Sequence, residues 1–152
     1  MVDRASDVVE AVGSALDADV NFLLARANAM SMSAANRALA PLELKVRSYS
    51  VLALACAAAP PSQREIAEYL RLDPSQVVAL VDDLQKRGLV ERRADPSDRR
   101  TNVVGATPTG VELRAEAAAA TQAAESELYV GLSPAQRQSL TRMLRTVAFP
   151  TE

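Results

Sequence analysis

Histidine is absent from this chain, and cysteine occurs once, at Cys56. Without histidine there is no Ser-His-Asp or Cys-His catalytic set and none of the usual zinc sets. No paired carboxylates on a recognisable scaffold replace them, so the chain does not read as an enzyme, and neither a metal nor a cofactor is expected. A single thiol forms no internal disulfide, which fits a reducing cytoplasm. Aromatic residues make up 3% of the sequence, too few for grooves that stack the bases of single strands. No stretch approaches the roughly 18 apolar residues of a membrane span, so no membrane partner is expected. Residues 1–14 carry Asp3, Asp7 and Glu10 and do not read as a basic, apolar signal peptide.

What is there is a globular composition, 49% hydrophobic and 24% charged over 152 residues, the size of a single domain. The net charge is -2, so any binding of nucleic acid needs a local basic patch. One exists. Lys86, Arg87, Arg92, Arg93, Arg99 and Arg100 face only Glu91, Asp95 and Asp98 within residues 86–100, a local charge of +3.

The spacing predicts a mainly α fold. Val9, Val12, Leu16, Val20, Leu23, Ala27, Met30, Ala34 and Ala38 recur every three or four residues, an apolar stripe that predicts one helix over 6–39. At 1.5 Å per residue it would run roughly 50 Å, more than a domain this small can cover alone. A second helix is expected over 42–58. Ser62-Gln63-Arg64-Glu65 is a capping box that opens a short helix. Asp73-Pro74-Ser75-Gln76 is a cap with proline at the first helical position, opening another that Gly88 closes. Residues 89–93 and 101–104 read as strands around a polar turn over 94–100. Thr107-Pro108 caps a helix over 109–129, with Val111, Leu113 and Ala117 on its inner side. Ser133-Pro134 caps a last one, with Leu140, Met143, Leu144 and Val147 inside.

Short helix, tight turn, second helix and β-hairpin make a winged helix-turn-helix. A capped second helix can enter the major groove end-on, while the hairpin reaches phosphates or the adjacent minor groove. The basic cluster falls on that hairpin and on the end of the preceding helix.

Residues 61–67 (PSQREIA), 72–84 (LDPSQVVALVDDL), 87–92 (RGLVER) and 95–100 (DPSDRR) resemble the MarR family of bacterial transcription regulators. Thr107–Gly110 adds a Thr-x-x-Gly element, although Ala106 stands where the family usually has leucine. The resemblance implies a single unit over 1–152. Helices 6–39 and 109–148 would form a homodimer, and 42–106 would be the winged DNA-binding region. It also implies a double-stranded, pseudo-palindromic operator, and a repressor released from it by a small aromatic or acidic ligand. Another reading is a helical dimer that serves as a protein-interaction module with a degenerate winged helix; the basic wing argues against it.

Residue roles follow on the same footing. Arg100 resembles the wing arginine that enters the minor groove, its alternative being an ion pair with Asp98. Arg99 should meet phosphate, and Asp98 should orient an arginine. Ser75 and Gln76 open the recognition helix, where glutamine can pair with adenine. Val78 can touch a thymine methyl. Ser62, Gln63 and Arg64 suit phosphate contacts. Arg92 and Arg93 point to opposite faces of their strand, so only one serves DNA easily; Arg92 is the expected one. The family's ligand pockets lie near the junction of the first two helices, which points to Arg37, Lys45 and Arg47 as anion partners and to Met30 and Ala34 as walls. Cys56 sits in an apolar stretch and is expected as a buried hydrophobe rather than a reactive thiol.

Overall fold

The computed structural model describes residues 16–95 and 100–150. Helix α1 spans Val20–Leu39. The expected single helix over 6–39 is therefore corrected. The chain turns at Asp17 and Ala18, and Asp19 opens a new helix by accepting the Phe22 N–H at 2.9 Å. Aspartate is a poor interior helix residue and a good N-cap because its carboxylate competes for backbone N–H groups. Residues 6–15 lie outside the described part. What remains of the helix is roughly 30 Å long.

A 3-10 turn, Ala40–Leu42, follows, and Glu43 takes a left-handed conformation at φ 53°. Helix α2, Val46–Ala55, starts four residues later than the spacing predicts. Two side chains set that start. Asn36 of α1 accepts the Val46 N–H at 3.0 Å, and the Ser48 hydroxyl accepts the Lys45 N–H at 3.0 Å.

Helix α3, Gln63–Leu70, opens on the Ser62–Glu65 capping box and ends at Arg71, again left-handed. Helix α4, Pro74–Lys86, is capped by Asp73, and Gly88 at φ 70° turns the chain into the hairpin. Strands β1, Val90–Ala94, and β2, Asn102–Ala106, pair antiparallel with Val90 opposite Ala106 and Ala94 opposite Asn102. The segment before α3 extends this ladder: Ser62 bridges Val103, and the Val104 N–H donates to the Pro61 carbonyl at 2.8 Å.

Helix α5, Pro108–Leu128, begins at a tight corner. The Thr107 hydroxyl donates to the Gly88 carbonyl at 2.6 Å and accepts the Gly110 N–H at 3.1 Å. A Cβ on Gly110 would lie 1.9 Å from the Leu89 carbonyl oxygen, so only glycine lets helix and strand approach this closely. Helix α6, Pro134–Ala148, closes the described chain.

The core lies inside the winged module, with α2 at its centre. Leu52 and Val51 of α2, Ile66 of α3, Val77, Val81 and Leu84 of α4, and Val90 and Val104 of the hairpin are all buried. Leu39 and Ala117 join α1 and α5 to it, and these two helices pack along each other. The outer parts of the long helices differ from expectation. Val111, Met143, Leu144 and Val147 are exposed rather than inside, as are Val20 and Leu23.

Candidate nucleic-acid interface

Helix α4 is amphipathic in the way a reading helix needs. Val77, Val81 and Leu84 anchor one face in the core, while Ser75, Gln76, Val78 and Ala79 are exposed on the other. The cap fixes its first turn. Asp73 accepts the Ser75 N–H at 2.8 Å and the Ser75 hydroxyl, and the Gln76 N–H donates to the Asp73 carbonyl at 3.0 Å. Those bonds from Ser75 hold the Asp73 carboxyl below the usual aspartate range. Ser75 is thus committed to the cap, whereas the Gln76 side chain projects beside Ala79.

At the start of α3, the three predicted residues divide. Ser62 is spent on its capping box: its N–H and hydroxyl both donate to Glu65 Oε2, at 2.7 and 2.8 Å. That bonding holds the Glu65 carboxyl below its ordinary value. Gln63 is half-buried and accepts a hydrogen bond from Arg92 at 2.7 Å. Arg64 stands out in solvent and pairs along its own helix with Glu68 at 2.9 Å. An exposed pair of this kind is weak and exchanges readily for phosphate.

The basic cluster splits in the same way. Arg87, grouped with the patch by charge, is a strut. Its guanidinium donates to the Glu43 carbonyl at 2.7 Å and the Leu42 carbonyl at 3.1 Å, fastening the end of α4 to the α1–α2 joint. Arg92 is held by Gln63, Gln85 and Asp82. Arg93, on the other face of β1, is exposed, has Glu91 at 3.7 Å, and lies over Gly105. Arg100 is exposed in the turn that precedes β2. Arg99 and Asp98 lie outside the described residues.

A cavity of about 660 Å³ opens between the α1–α2 joint and α4. Its walls include Met32 and Asn36 of α1, Lys45, Val46 and Arg47 at the start of α2, and Gln76, Ala79 and Asp83 of α4. Two of the five expected effector residues, Lys45 and Arg47, meet here. The other three do not join them. Ala34 and Arg37 line a separate cleft against Ala120, Ala124 and Leu128 of α5, and Met30 is 51% exposed and borders neither. The reason is helical phase: Met32 and Asn36 share the face toward α4, and Ala34 is turned toward α5. Asn36 and Met32 carried no signal of their own in the sequence.

Cys56 is half-buried rather than fully buried. Burial pushes its thiol pKa up, and Arg114, a basic neighbour invisible in the local sequence, pulls only partly the other way. The thiolate is therefore disfavoured, as expected for an unreactive cysteine. Among the described residues no group of three potential metal ligands comes together, and no helix is long and apolar enough to cross a membrane.

The model of the MarR family matches residues 42–101. The chain is 46% identical to CouR from Rhodococcus jostii RHA1, whose crystal structure holds p-coumaroyl-CoA. The two superpose with a TM-score of 0.84 over 90% of this chain and 96% of that one. A transcriptional regulator of the MarR family from Rhodococcus sp. RHA1 is 44% identical, with a TM-score of 0.84 and the same coverage of 90% and 96%. The HTH-type transcriptional repressor Rv2887 of Mycobacterium tuberculosis is 28% identical over 133 residues, 88% of this chain and 96% of that protein.

Proposed function

The chain belongs to the MarR family of transcription regulators, and on that premise we propose that it is a homodimeric repressor that binds a pseudo-palindromic duplex and leaves it when an anionic aromatic ligand binds. The observation that carries this reading is the outer face of α4. Gln76, Val78 and Ala79 stand exposed on a helix whose other face is locked in the core, with the hairpin beside it. That is the geometry of a helix that reads base edges in the major groove. Gln76 supplies the amide for adenine, and Arg64, Arg93 and Arg100 supply cations for phosphate or minor groove; Arg99, expected from the sequence to add a fourth, lies outside the described residues.

The dimer would form on α1, α5 and α6, where apolar side chains lie in solvent. The ligand would enter the cavity beside Lys45 and Arg47. Both sit at the N-terminus of α2, where the helix dipole adds positive potential. The p-coumaroyl-CoA found in CouR supports an aromatic acyl thioester as the ligand class: an apolar head with an anionic tail. Gln76 and Ala79 belong to both the cavity and the reading face of α4, so an anionic ligand lodged there would oppose DNA directly.

The test is fluorescence anisotropy on duplexes selected from a random pool by the protein itself. With about four cationic contacts per subunit, log affinity should fall with log salt at a slope near roughly -7. Arg100→Ala should weaken binding by about 1–3 kcal/mol per contact. p-Coumaroyl-CoA, or a related aromatic acyl-CoA, should release the duplex. Failure to select any duplex overturns the reading.

A further inference from the structure

Arg92 lies in the middle of the basic cluster, yet each of its three guanidinium nitrogens donates to an acceptor within the protein. Nε donates to Gln63 Oε1 at 2.7 Å, Nη1 to Gln85 Oε1 at 3.0 Å, and Nη2 to Asp82 Oδ1 at 2.6 Å. The three acceptors come from the first residue of α3 and the second half of α4, and Arg92 itself from β1. One planar fork therefore ties together both helices and the hairpin of the winged module. Its side chain is 28% exposed, against 49% for Arg93 on the opposite face.

We propose that Arg92, paired with Asp82, is a positioning residue for operator recognition: it fixes the hairpin and the start of α3 relative to the reading helix, and does not neutralise a phosphate. This rests on the DNA-binding reading above. Three physical points carry it. The Arg92–Asp82 pair is neutral as a unit, so it releases no counterion from DNA. A carboxylate on the reading helix is repelled by phosphate, and its place there needs a purpose other than attraction. The fork meets three acceptors from separate elements, a match that lysine, a point charge on a flexible stem, cannot reproduce.

Asp82→Asn separates the two roles sharply. On electrostatics alone, removing a negative charge near the interface tightens binding to every duplex. If the pair positions the module, operator affinity falls on the order of tenfold, as for residues coupled in one network, while a scrambled duplex binds as well as before or better. Arg92→Ala and Arg92→Lys should show the same selective loss, and the double variant Arg92→Ala with Asp82→Asn should lose no more than either single one. The salt slope should stay unchanged, whereas a lost phosphate contact would lower it by about 0.9 per subunit. Thermal melts of each variant check that the fold persists, and the comparison of operator with scrambled duplex cancels any shared loss of folded protein. Rescue by Arg92→Lys, a lower slope on both duplexes, or unchanged or tighter operator binding by Asp82→Asn would each overturn the proposal. A wild type that prefers no selected duplex over its scrambled form overturns the DNA-binding reading itself.

Discussion

The winged module and the long helices around it use the same apolar residues in opposite ways. In the module, Ile66, Val77, Val81 and Leu84 have no solvent exposure. In the outer helices, Val20 is 68% exposed, Met143 58% and Val147 70%. One half of the chain completes its own core, and the other half holds apolar surface in reserve for something else to cover. Exposed apolar side chains gathered on the long helices suit an interaction surface. In the proposed dimer the difference gives the parts distinct duties: a self-sufficient reading head, and arms whose packing a second chain would complete.

The largest effect that would test this contrast is in the head. Leu84→Ala removes a fully buried side chain and leaves a cavity, and should cost about 2–5 kcal/mol in denaturant unfolding. Met143→Ala deletes a side chain of similar size from the arm, and should cost far less in a dilute sample. An equal loss in the two variants at low protein concentration would erase the distinction.

Next comes the reserve surface itself. Met143→Asp and Val147→Asp place charges where association would have to desolvate them. Each should weaken self-association on the order of a hundredfold in sedimentation equilibrium, about 2.7 kcal/mol. The melting temperature of the wild type should rise with concentration, and that dependence should vanish in these variants. Variants that remain dimers would move the interface elsewhere.

The head was also the part most open to reading from sequence, and the reason is range. Ser62 and Asp73 cap the head's helices through bonds to N–H groups two or three residues away, so local residue types announce them. Gly88 does the same for its turn. The break at Asp17–Asp19 was hidden because the apolar spacing runs on in phase across it. The left-handed Glu43 was hidden because no glycine marks it. The duties of Arg87 and Arg92 were out of reach. Their partners lie 44 and 45 residues away for Arg87, and 29 for Gln63 of Arg92. Charge in a sequence says that an arginine is present; only the fold says whether its donors are already spent. The expected effector residues divide for a similar reason. Arg37 and Lys45 are near in sequence, but the turn between their helices sends them into different cavities.

The cavity lies where head and arm meet, and it sharpens the contrast with a smaller effect. Lys45→Ala and Arg47→Ala should each weaken an aromatic acyl-CoA by roughly 1 kcal/mol in calorimetry, the scale of an exposed charge contact. Arg37→Ala, in the neighbouring cleft, should leave that affinity unchanged. Sensitivity to Arg37 with indifference to Lys45 and Arg47 would shift the ligand into the α1–α5 cleft.

The smallest expected effect concerns acid, and it separates α3 and α4 from α5 and α6. Two of the head's helices open on carboxylates: Asp73 caps α4, and Glu65 closes the capping box of α3. Hydrogen bonds from Ser75 and Ser62 hold both below their ordinary pKa values in the folded chain. A carboxyl whose folded pKa is lowered stabilises the fold above its unfolded pKa, near 4. That contribution fades as pH falls through the depressed folded value, because the unfolded chain takes up the proton first. Helices α5 and α6 are capped by the hydroxyls of Thr107 and Ser133, with Gln136 in place of a glutamate, and none of these titrates in that range. Between neutral pH and pH 3, protection factors against hydrogen exchange, corrected for the intrinsic rate at each pH, should therefore fall at the first turns of α3 and α4 before those of α5 and α6. Asp73→Asn keeps a capping oxygen while removing the charge, and Glu65→Gln does the same for the box. The double variant should start slightly less stable at neutral pH and lose less on acidification. An unchanged acid dependence in that variant would place the titrating groups elsewhere.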